Sequence, residues 1–121
     1  MDKAKAILRN YRQSPRKVRL VADSVRGKKV AEAIGALSLL PKRSALPIKN
    51  LLESALSNAK SMSMSEGDLI VKEIRVDAGD TLFRRRARSH GMSNPIRKRT
   101  SHVSVTLSNS RSPKLELKAK I

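Results

Sequence analysis

The chain has 121 residues, with 27 Lys and Arg against 10 Asp and Glu, a formal net charge of +17, and no cysteine. That length allows one domain with a modest core, and the missing cysteines exclude disulfides and thiolate metal sites. The charge demands an anionic partner, because self-repulsion on this scale destabilises a compact chain left alone. No run approaches the roughly 18 apolar residues of a membrane span. The start, MDKAKAILRNYR, shows neither a secretory signal nor a transit peptide, so the expectation is a soluble intracellular domain with no membrane partner. The only aromatic residues are Tyr11 and Phe83, so Val, Ile, Leu and Ala must fill the core.

Residues 3–12 are short and mixed, which fits a strand or an extended arm. A helix follows. Ser14 stands at its N-cap and Pro15 at its first position, where the missing N–H costs nothing. Val18, Val21, Ala22 and Val25 keep the i, i+3, i+4, i+7 spacing of one buried face, and Gly27 ends it. Val30, Ala33, Ile34 and Leu37 repeat that spacing in a second helix closed by Pro41. Gly35 weakens this helix by about 1 kcal/mol relative to alanine.

Ile48, Leu51, Leu52, Ala55, Leu56 and Ala59 form the stripe of a third helix. With Ser44 as N-cap, Pro47 falls at the third position, where its N–H would have no intrahelical partner. A start nearer Pro41 would instead bend the helix at Pro47. The connection SMSMSEGD follows, with Met62 and Met64 as gap-fillers. From Leu69 the period changes to two: Ile70, Ile74 and Val76 share one face, interrupted by Lys72. Val103, Val105 and Leu107 alternate more cleanly in a last strand, and the tail beyond is polar. Three helices and about three strands, segregated rather than alternating, predict an α+β fold in two layers.

Between these strands, residues 81–100 read TLFRRRARSHGMSNPIRKRT, with seven cations and no carboxylate. Such a segment cannot bury enough apolar surface to offset the entropy of its own ordering. Structureless loops beyond about 12–15 residues are rare in compact domains unless functional or disordered, so the flanking strands are expected to extend into it as a ribbon. Charge is also uneven along the chain. Residues 1–80 hold 16 basic and 9 acidic residues, whereas residues 81–121 hold 11 and 1. Arginine outnumbers lysine six to one in the arm, and its planar fork suits phosphate.

Catalysis has little to stand on. His90 and His102 are the only histidines, and nothing pairs either with a nucleophile. Asp77 and Asp80 flank a turn, where a hydrogen-bonding role outweighs a metal pair. No phosphate-loop or dinucleotide fingerprint occurs. No enzyme, cofactor, metal or small-molecule substrate is therefore expected. Among nucleic-acid binders, the aromatic platforms of a single-strand binder are missing, and so are the RNP and GxxG signatures. A helix-turn-helix would need polar base-reading side chains that VAEAIGALSLL lacks. Recognition of folded RNA through shape and phosphate remains.

The pieces SPRKVRLVADSVRGKKVAEA, LLESALSNAKSM, IRVDAGDTLFRRRARSHGM and IRKRTSHVSVTL resemble, in order and over about residues 5–110, the family of large-subunit ribosomal protein twenty-two. The resemblance implies three helices on a small three-stranded antiparallel sheet with a long projecting basic β-hairpin. It implies one ribosomal-protein domain over 1–121: a globular part at about 1–73 and 106–115, a hairpin at about 74–105 and a tail at 112–121. It further implies a structural role in the large subunit of a cytoplasmic ribosome, an organellar one left open. The partners would be large-subunit ribosomal RNA, neighbouring ribosomal proteins and, at the hairpin tip, the nascent peptide in its exit tunnel.

Charge and resemblance together name the expected RNA contacts as Arg12, Arg16, Lys17, Arg19, Arg26, Lys28, Arg84, Arg85, Arg86, Arg97, Lys98, Arg99 and Thr100. The resemblance alone makes Arg88, Ser89, His90, Gly91 and Met92 the tunnel-lining tip. The chain departs from the family's usual arm at Phe83, where a lysine is common, and at Ala87, Ser89 and Met92. A general basic nucleic-acid binder or RNA assembly chaperone is the alternative.

Overall fold

The computed structural model describes residues 3–64 and 66–109. The expected tail at 112–121 lies outside the described residues. Strand β1 (Lys3–Tyr11) is followed by helices α1 (Pro15–Val25), α2 (Val30–Leu39) and α3 (Ala45–Ser61). Strands β2 (Leu69–Ala78), β3 (Leu82–Ala87), β4 (Ser93–Lys98) and β5 (Ser101–Asn109) complete the order. β5 lies between β1 and β2 in an antiparallel sheet, and β3 pairs with β4 in a separate two-stranded ribbon. The fold is α+β, as the segregated pattern predicts.

The helices form where the apolar period is 3.6, and they bury the stripe it defines. Val18, Val21, Ala22 and Val25 of α1 are all buried, as are Val30, Ala33 and Leu37 of α2. α3 buries Ile48, Leu51, Leu52, Ala55 and Ala59. α1 packs against β2, α3 against β1 and β5, and α2 against α3. From the sheet, Ala4, Leu69, Val71, Ile74, Val76, Val103, Val105 and Leu107 complete one aliphatic core. Small alanines on both α3 and β1 allow a close approach, and Asn58 of α3 donates from Nδ2 to the Lys5 carbonyl of β1 at 2.8 Å.

Two local expectations change. Ser14 and Ser44 stand at N-caps, but neither hydroxyl bonds its helix. Ser44 is already helical at φ −79°, ψ −6°, so α3 starts where Pro47 is harmless, at its third residue. On β2 the expected core face of Ile70, Ile74 and Val76 holds only for the last two. Val71 pairs with Leu107 and Glu73 with Thr106, so Lys72 is an extra residue in a β-bulge. A bulge reverses the parity of the strand. Leu69 and Val71 face the core before it, Ile74 and Val76 after it, and Ile70 lies outside the core cluster. The bulged Lys72 meets Lys3, whose side-chain hydrogen bond and positive charge push its ammonium pKa below the ordinary lysine value, against the opposing pull of Glu73.

β2 is an edge strand, and its outer carbonyls need donors or water. The turn after α1 supplies part of the cover: Gly27 N–H donates to Val71 O at 2.9 Å, and Val71 N–H to Lys28 O at 2.8 Å. Arg19 of α1 and Arg26 just after it supply more. Arg19 donates from Nε and Nη2 to Val76 O at 3.2 and 3.0 Å, and Arg26 donates from Nη2 to Ile74 O at 2.8 Å. Arg26 also pairs with Asp23. Replacing Arg19 and Arg26 together by methionine keeps the apolar stems and removes the forks. The expected result is a loss of roughly 1–2 kcal/mol, discounted for solvent exposure, read as a lower urea midpoint at unchanged slope.

Candidate nucleic-acid interface

The ribbon leaves the sheet through a tightly bonded neck. Gly79 N–H donates to Thr100 O at 2.9 Å, and the Thr100 hydroxyl donates to Asp80 O at 2.6 Å. The buried Ser101 hydroxyl donates to Gln13 O at 2.6 Å, tying β5 to the turn before α1. On the other side, Leu8 pairs with Val103 and Tyr11 with Ser101, so β1 also carries an extra residue. Asn10 takes φ 56° there, and its N–H donates to His102 Nδ1 at 3.1 Å. That bond leaves the proton of a neutral His102 ring on Nε2. A Cβ built on Gly79 would lie 2.5 Å from Thr100 Oγ1 and 3.1 Å from the His102 ring, so only glycine fits.

Beyond the neck, β3 and β4 run in register from Leu82 opposite Lys98 to Ala87 opposite Ser93. The expectation of strands extending into the basic stretch is met by this pairing. Opposite residues share a face, so Arg84 and Lys98 project with Leu82 and Ile96, while Arg85 and Arg97 project with Phe83 and Pro95. Residues Arg84, Arg85, Arg86, Arg97, Lys98 and Arg99 are all exposed. The tip closes through Arg88 N–H to Met92 O at 2.7 Å, with His90 and Gly91 at φ 62° and 70°. Gly91 adopts that conformation without strain. Arg88, Ser89, His90, Gly91 and Met92 are all exposed.

At the root of the ribbon a cleft of about 680 Å³ opens between body and arm. It is lined by Arg12, Gln13, Ser14, Lys17, Arg43, Arg97, Lys98 and Arg99. Six of these are cations, drawn from three segments: the turn into α1, the connection between α2 and α3, and the end of β4 with the residues after it. Among the described residues no carboxylate lines it. The first turn of α1 adds its positive dipole end, with the Ser14 hydroxyl making no cap bond. Such a concavity focuses field and is suited to phosphate.

The expected contacts thus divide. Arg12, Lys17, Arg97, Lys98 and Arg99 converge on the cleft, whereas Arg16 and Lys28 are exposed elsewhere on the body and the ribbon arginines lie along its two faces. Arg19 and Arg26 are engaged by β2 carbonyls, a structural task that charge alone did not reveal. Thr100 is buried, and its hydroxyl already serves Asp80, so it does not offer that group to a ligand. Arg43 was missed. Its only sequence signal is the Lys42–Arg43 pair between two helix boundaries, and nothing local shows that the fold carries it to Arg97.

Among the described residues no group of three His, Cys, Asp or Glu side chains gathers that could hold a metal ion, and no helix is long and apolar enough to cross a membrane. These features define a basic α+β protein whose cations are shared between a compact body and a projecting ribbon. Residues 6–108 match the family described as ribosomal protein L22p/L17e. The chain is 53% identical to the large ribosomal subunit protein uL22 of Herpetosiphon aurantiacus over 103 residues, covering 84% of this chain and 91% of that protein. It is 52% identical to the uL22 of Mesoplasma florum over 109 residues, 89% and 97% of the two chains. With the uL22 of Desulfitobacterium hafniense it shares 48% identity over 108 residues, 88% and 95% of the two chains. The chain belongs to the ribosomal protein L22p/L17e family, whose members are structural, non-enzymatic ribosomal proteins.

Proposed function

We propose that this chain is a structural constituent of the large ribosomal subunit that binds large-subunit ribosomal RNA and supports assembly of the particle. The observation that carries the reading is the cleft, where cations from three separate segments converge with no carboxylate among the described residues that line it. Repulsion among those cations is relieved when a phosphate backbone enters. The ribbon, basic on both faces and without a second layer among the described residues, is built to be enclosed by RNA rather than to pack on its own body. Contacts of this kind neutralise phosphate and position the chain, and they do not specify bases.

In this reading the body at about 1–73 and 106–115 and the hairpin at about 74–105 act as one domain. Arg84, Arg85 and Arg86 with Arg97, Lys98 and Arg99 grip RNA, neighbouring ribosomal proteins abut the body, and Arg88–Met92 line the nascent-peptide tunnel of a cytoplasmic ribosome. Co-sedimentation after a high-salt wash tests the proposal. The chain is expected to stay with the large subunit through a wash that strips loosely held basic proteins. Release into the supernatant would instead mark a general binder or an assembly chaperone.

A further inference from the structure

We propose that Phe83 is a stacking platform for one unpaired RNA base, an inference that rests on the RNA-binding reading above. It is the only phenylalanine of the chain, and it is 60% exposed on a two-stranded ribbon rather than in the core. The other aromatic, Tyr11, is partly buried and donates its hydroxyl to Gln13 Oε1 at 2.8 Å. Leu82 and Ile96, on the opposite face of the ribbon, are half-buried, so the apolar side chains there are partly covered while the ring is left open.

The surroundings of the ring decide what covers it. Phe83 stands opposite Arg97, and Arg85, two residues along, stands opposite Pro95 on the same face. A flat π-surface between two guanidinium groups fits a nucleotide, with the base on the ring and its flanking phosphates on the arginines. A membrane surface or an apolar protein groove would have to desolvate both guanidiniums, which is costly without an anionic partner. One ring gives one stacking position, so the site holds a single extruded base and does not make the chain a general single-strand binder.

The full chain labelled with ring-¹³C phenylalanine reports this site directly, because only one residue carries the label. Two probes of equal charge are titrated: single-stranded oligoadenylate and an abasic oligoribonucleotide of the same length. Upfield movement of the ring signals with oligoadenylate, and none with the abasic strand, is the expected result. Phe83→Leu should weaken oligoadenylate about tenfold and leave the abasic strand unchanged. Phe83→Lys should abolish base discrimination while steepening the salt slope by about 0.7 unit. Equal ring movement with both probes, or equal weakening of both by Phe83→Leu, overturns the platform. So does a ring left unmoved by oligoadenylate while the strand binds. If neither strand binds, the platform falls, while the RNA-binding reading is decided separately by the high-salt co-sedimentation.

Discussion

Replacing Arg97, Lys98 and Arg99 together by alanine is expected to lower affinity for large-subunit ribosomal RNA by two to three orders of magnitude at about 0.1 M salt. The three side chains are exposed at the root of the ribbon and line the cleft together with Arg12, Lys17 and Arg43. If each neutralises one phosphate, its loss removes about 0.9 unit from the slope of log affinity against log salt, so the triple variant should be flatter by about 2.7 units. The core contains none of these residues, so helix content and urea midpoint should hold. Arg19→Met and Arg26→Met reverse that signature, lowering the midpoint while shifting the salt slope far less. A triple variant with an unchanged slope would show that the cleft does not hold phosphate.

The second large effect concerns the neck. Gly79→Ala is expected to cost roughly 2–3 kcal/mol, measured by urea unfolding. The new methyl would stand 2.5 Å from Thr100 Oγ1 and press on the His102 ring at 3.1 Å. Thr100 cannot turn away freely, because it is buried and its hydroxyl is bonded to Asp80 O. Either that bond breaks and leaves the buried Thr100 hydroxyl short of its acceptor, or the Gly79 N–H to Thr100 O bond lengthens. Thr100→Ala removes the clashing hydroxyl. In the double variant the two losses should therefore fall short of their sum by about 1 kcal/mol. Additive losses would contradict this account of the neck.

Much of the fold was legible because its rules are local. The α1 face needs only the 3.6-residue period from Val18 to Val25, and Pro47 limits where α3 can start. The bulge at Lys72 was not legible, since an extra residue is visible only against the pairing strand, and it moved Val71 rather than Ile70 into the core. The basic arm was evident from its missing carboxylates, but the cleft was not. Its cations are brought together by the fold across the distance from Arg12 to Arg99 in the chain. The bonds of Arg19 and Arg26 to β2 were hidden because charge does not reveal which carbonyls an edge strand leaves open. The inward bond of the Thr100 hydroxyl was hidden for a related reason. Its basic neighbours point outward, and the neck turns its hydroxyl inward.

The central claim is that the cleft and ribbon of this chain hold the RNA of the large subunit. A density map of the assembled particle tests it most directly. The account predicts backbone phosphates within hydrogen-bonding distance of Arg12, Lys17, Arg43 and Arg97, with RNA on both faces of the ribbon. A cleft that opens to solvent or is filled by another protein, with the ribbon free of RNA, would contradict it.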